Sequence, residues 1–137
     1  MAANVLVDAG FLVAILTRRD SNHGWASTVA GQHPPPWTSC ESAVSEAFYL
    51  LGRHAVSSLV ELLRRGTVTC PFRLDRNVDE VLTLMRKYDD VPMSFADACL
   101  VRMTEVLSDP ILLTTDADFR IYRRHSRQIV PSVMPGR

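Results

Sequence analysis

Two short apolar runs in this chain each lead into an aspartate, and they limit what the rest can build. Val5-Leu6-Val7 is followed by Asp8, and Ile111-Leu112-Leu113 by Thr114, Thr115 and Asp116. A strand covered on both faces reads as a continuous apolar run instead of an alternation, which is the mark of a parallel sheet between helices. The intervening sequence supplies the helices. Gly10 is expected to turn the chain sharply into a buried helix over Phe11 to Leu16, and Asp20 to His23 reads as the cap of a second helix reaching Gln32. Pro34-Pro35-Pro36 stops that helix, and Trp37-Thr38 follows as a short strand.

Thr38-Ser39-Cys40-Glu41 matches a capping box opening a helix through Leu51. Ala55 to Arg65 is a further helix ended by Gly66, with a strand over Thr67 to Phe72 after it. Val78, Val81, Leu82 and Met85 form a helical stripe within Asn77 to Lys87. Ser94 to Leu107 is expected to be helical, as is the short stretch from Ala117 to Arg123, and Ile129-Val130 is expected to close the sheet. Strands alternating with helices make an α/β domain with a mostly parallel sheet. A chain of 137 residues without repeat or linker fits one such domain over residues 1–137.

The formal net charge is zero, so no global field recruits nucleic acid and any basic surface must be local. The longest apolar run, Phe11 to Leu16, is too short to span a bilayer, and the N-terminus lacks the pattern of a signal peptide. Cys40, Cys70 and Cys99 form no CxxC pair, which points to reduced thiols in a cytoplasmic protein. His23, His33, His54 and His125 have no paired ligand spacing, and neither a phosphate-binding glycine loop nor a GxSxG elbow occurs.

The acids carry the chemistry. Asp8 and Asp116 stand at the carboxyl ends of predicted strands, where open α/β sheets bind ligands, although each would also serve as a helix cap. Glu46 borders the apolar face set by Ala43, Ala47 and Leu50, where a carboxylate loses solvation. Asp97 opens an apolar helix beside Ala96 and Ala98, and Ser94-x-x-Asp97 is itself a capping box. Converging carboxylates without a matching lysine suit a hard divalent cation such as Mg²⁺ or Mn²⁺. Arg120, Arg123, Arg124 and Arg127 follow at helix-like spacing, as solubilising surface or as a phosphate-tracking rim.

In chain order, Val5-Leu6-Val7-Asp8-Ala9-Gly10, Ser45-Glu46-Ala47-Phe48-Tyr49-Leu50-Leu51, Ser94-Phe95-Ala96-Asp97-Ala98 and Leu113-Thr114-Thr115-Asp116-Ala117-Asp118-Phe119 resemble the motifs of PIN-domain ribonucleases. That family includes the VapC-type toxins of toxin–antitoxin modules. The resemblance implies a three-layer α/β/α sandwich and hydrolysis of RNA by Asp8, Glu46, Asp97 and Asp116. Asp8, Asp97, Asp116 and the additional acid Asp118 would hold Mg²⁺ or Mn²⁺. If the basic stretch read above is a phosphate-tracking rim, Arg120, Arg123 and Arg124 are expected on the RNA. The resemblance also implies a homodimer, here through the apolar residues Phe48, Tyr49, Leu59, Leu62 and Leu63, and an antitoxin segment able to cover the pocket. One position departs from the pattern: many relatives carry Ser, Thr or Asn where this chain has Gly10, so a hydroxyl from Thr114 or Thr115 would have to help order the site.

Two other readings stay open at this point. A Mg²⁺-dependent phosphatase or phospho-acceptor domain using Asp8 would want a lysine near the phosphoryl group, and the one lysine, Lys87, lies on a predicted exposed helix. A PIN-like module that is not a toxin, or that does not catalyse, working in RNA processing or through protein contacts, is the other, and Gly10 is compatible with the loss of catalysis.

Overall fold

The computed structural model describes residues 4–136. Its centre is β1 (Asn4–Val7), flanked by β2 (Trp37–Thr38) and β4 (Pro110–Leu113). The edges are β3 (Val68–Thr69) and β7 (Ser132–Val133), giving the order β3-β2-β1-β4-β7 with every pairing parallel.

Strand periodicity divides the core in two, because successive side chains leave a strand on opposite faces. Val5, Val7 and Leu113 pack with α1 (Ala9–Leu16), α2 (His23–Gln32), α4 (Arg53–Arg64) and part of α3 (Glu41–Leu50). Leu6 and Leu112 pack on the other side with α5 (Val78–Lys87) and α6 (Phe95–Val106). The result is a three-layer α/β/α sandwich. Val5 to Val7 and Leu112 to Leu113 are apolar and buried because helices cover both faces of the sheet there.

Several expected boundaries move. Gly10 is the second residue of α1 and makes no turn, since Asp8 already caps that helix by accepting from Phe11 N at 2.8 Å. The capping box at Thr38 and Glu41 does not form: Thr38 is held in β2, Cys40 is the N-cap, and no side chain caps α3. The strand expected over Thr67 to Phe72 is confined to Val68–Thr69. Past Asp116 the chain forms a 3-10 helix over Ala117–Arg120, then a hairpin of β5 (Arg123–Arg124) and β6 (Gln128–Ile129).

The expected closing strand at Ile129-Val130 is therefore divided. Ile129 stands exposed in the hairpin, Val130 is buried in the core, and Ser132–Val133 pairs with β4. Leu59, expected on an exposed helical face, is fully buried against the sheet, and Phe48, Leu62 and Leu63 are partly buried beside it. Among the described residues no helix is long and apolar enough to cross a membrane.

Candidate active site

The parallel register sets the first two acids. Val7 lies opposite Leu113, so the residues that follow, Asp8 and Thr114, leave adjacent strand ends side by side. The Thr114 hydroxyl donates to Asp8 Oδ2 and accepts from the Asp116 amide at 2.9 Å. Asp116 Oδ1 in turn accepts from the Asp118 amide at 2.9 Å and caps the 3-10 helix.

Asp97 arrives from α6. Its amide donates to Ser94 Oγ at 3.0 Å, and its Oδ2 accepts from the Ser94 amide at 3.4 Å, so the capping box read from the sequence is formed. The Tyr122 hydroxyl donates to the same Oδ2 at 3.3 Å and stands 2.9 Å from the Pro92 carbonyl oxygen. Nothing in the sequence pointed to Tyr122. It is anchored by edge-on contacts with its near neighbour Phe119 and with Tyr88, the latter created by long-range packing.

Asp8, Glu46, Asp97, Asp116 and Asp118 line one cavity of about 430 Å³, together with Gly10, Leu50, Ser94 and Thr115. Capping and pocket lining are not alternatives here: Asp8, Asp97 and Asp116 do both. Asp8 is buried, Asp97, Asp116 and Asp118 are half-buried, and Glu46 is exposed. The desolvation expected for Glu46 is absent, because α3 turns that side chain to the open rim. Glu41 is also exposed, and it does not line this cavity.

Burial pushes the Asp8 carboxyl up to about 7, with the charges of Asp97 and Asp116 adding to the effect and the Thr114 and Phe11 hydrogen bonds opposing it. Asp97 rises to about 6, first through burial and then through Asp116, against the Ser94 and Tyr122 bonds. No Lys or Arg lines the cavity, and the ion pairs among the described residues lie elsewhere. An all-oxygen, net-negative donor set without a protein counter-charge fits a hard divalent cation. Among the described residues, no three His, Cys, Asp or Glu side chains already stand placed to chelate one ion. Both Asp8 oxygens accept protein hydrogen bonds, whereas Asp97 and Asp116 each bond through one oxygen.

The arginines divide. Arg123 donates to the carbonyls of Arg120, Ile121 and Tyr122, and Arg124 donates to Thr104 O and Gln128, so both fasten the hairpin. Arg120 is exposed.

The sequence profile of the PIN domain matches residues 5–124. No curated protein sequence matches the chain. Among solved structures, the fold is similar to that of VapC20 of Mycobacterium tuberculosis, described as a sarcin–ricin-loop-cleaving toxin. The TM-score is 0.69 at 18% identity, covering 83% of this chain and 91% of that one. The profile match takes in Val5 to Val7 of β1, helices α1 to α6 and every acid of the pocket, and on that ground the chain belongs to the PIN domain family.

Proposed function

We propose that this protein is a Mg²⁺- or Mn²⁺-dependent endoribonuclease, acting as the toxin of a toxin–antitoxin pair in the cytoplasm. The observation that carries the reading is the convergence of Asp8, Glu46, Asp97, Asp116 and Asp118 on one cavity with no cationic side chain among them. Family membership and the fold shared with a toxin that cleaves the sarcin–ricin loop support it.

Asp8, Asp97, Asp116 and Asp118 would hold the cation, which when bound supplies Lewis acidity toward a phosphodiester and activates water. Thr114 and the Phe11 amide fix the orientation of Asp8, while Ser94 and Tyr122 fix that of Asp97. Such locking lets the acids meet the transition state without reorganising. Glu46, exposed at the rim, accepts a proton from the attacking water. Arg120 meets the RNA backbone.

Leu50, exposed at the pocket rim, and its exposed neighbour Tyr49 on α3 suit a homodimer contact or an antitoxin segment lying across the site. Light scattering that returns only monomer at micromolar concentration removes the dimer from this reading. For the activity, purified protein is incubated with single-stranded RNA in Mg²⁺, in Mn²⁺ and in EDTA. Cleavage with either ion and none in EDTA is expected; cleavage that survives EDTA overturns the reading.

A further inference from the structure

Gly10 and Thr115 are far apart in sequence, yet they share one small volume. An ideal Cβ built on Gly10 would overlap Thr115 Oγ1, while lying 3.5 Å from both Thr115 Cβ and Asp8 Oδ1. Only the hydroxyl is in the way, since 3.5 Å to the Thr115 Cβ is ordinary contact. The other five glycines have nothing within 4 Å of such a Cβ.

Gly10 also sits within α1 without a positive φ. Its backbone makes no demand for glycine, and glycine is disfavoured against alanine inside a helix. Space is the remaining physical reason for it.

The two neighbouring threonines have different employment. Thr114 is buried, and its hydroxyl is fully used between Asp8 and the Asp116 amide. Thr115 is half-buried and lines the pocket, and no hydrogen bond among the described residues engages its hydroxyl. A hydroxyl keeps two acceptor lone pairs and can serve a hard cation as a neutral oxygen donor.

We propose that Gly10 stays free of a side chain so that the Thr115 hydroxyl can stand beside Asp8 in the pocket and serve as a further oxygen donor in the coordination shell of the divalent cation. This rests on the metal-dependent reading above. It adds a neutral donor to the acids and makes residues 10 and 115 a coupled pair.

The test has two arms. Mn²⁺ affinity is measured by calorimetry for wild type, Thr115→Val and Thr115→Ser. Thr115→Val keeps the shape and loses the hydroxyl, so its affinity should fall about tenfold, the lower end of what a lost supporting contact costs a metal site. Thr115→Ser should recover most of the loss. A Thr115→Val protein that binds Mn²⁺ as wild type does overturns the donor role. Wild type that binds no Mn²⁺ overturns the metal reading itself, and the donor role with it.

The second arm uses metal-free thermal unfolding. Gly10→Ala should lower Tm in the wild-type background and leave it level or raised in Thr115→Ala, where the obstructing hydroxyl is gone. Equal Tm shifts in the two backgrounds overturn the coupling.

Discussion

The Thr114 hydroxyl donates to Asp8 Oδ2 across 106 positions of sequence, joining the carboxyl ends of the two central strands. The same hydroxyl accepts from the Asp116 amide, so one oxygen sets two acids. Thr114→Val keeps the β-branched shape and removes both bonds. Leaving a buried carboxylate and an amide short of a partner should lower stability by about 1–3 kcal/mol in denaturant titration. RNA cleavage should fall with it, and Thr114→Ser should restore both. A Thr114→Val protein as stable as wild type would show that the bond contributes nothing.

Asp97→Asn separates capping from charge. Ser94 remains the N-cap, and an asparagine side-chain oxygen can still accept from its amide, so α6 should keep its start. The substitution removes a half-buried negative charge that faces Asp116, and Tm should hold level or rise. Cleavage of single-stranded RNA should collapse, provided Asp97 serves the cation. An active Asp97→Asn protein, purified beside the wild type, sinks that role.

The metal-free protein should lose stability as pH rises. Asp8 and Asp97 have folded-state values near 7 and 6 against 3.8 for the free side chain. The folded protein therefore retains protons that the unfolded chain has already released. That contribution is complete below about pH 4 and disappears as pH climbs through about 6 to 7. For the buried Asp8 the full change is on the order of 4 kcal/mol. Tm should fall from about pH 5 to about pH 8, and excess Mn²⁺ should raise it more at the upper end, where protons no longer compete. A metal-free Tm that rises over this range contradicts the assignment.

Arg120 and Arg124 should respond differently to removal. Arg120 is exposed, whereas Arg124 donates to Thr104 O and holds the hairpin to α6. Arg120→Ala should weaken RNA binding and reduce its salt dependence by about one phosphate contact, without moving Tm. Arg124→Ala should lower Tm, because it leaves a buried carbonyl unpaired, at a cost of about 1–3 kcal/mol. Filter binding across a salt series and thermal scans on both variants decide it; the opposite pattern would place Arg124 on the RNA.

The sequence by itself determined the features that depend on a few neighbouring residues. The short β-branched and apolar runs at Val5 to Val7 and Ile111 to Leu113 read as strands covered on both faces, and both are strands of the parallel sheet. The Ser94–Asp97 box is complete within one helical turn. The order of strands, helices and acids followed from the same short-range signals.

Tertiary structure decided what lies between distant segments. Thr38 could have capped α3, but β2 pairs with β1 and β3 and holds it in the sheet, so the helix starts at Glu41. Val133 pairs with β4 in place of Ile129, a choice between short segments of similar apolar content that only the register at the sheet edge resolves. The bond from Tyr122 to Asp97 and the space shared by Gly10 and Thr115 have no sequence signature, and it is the strand register that puts the Thr114 hydroxyl, of the two threonines the sequence offered, on Asp8. Helix and capping rules act over three or four residues. These contacts exist because a parallel sheet brings remote strand ends to one edge, and there the chain assembles its acids.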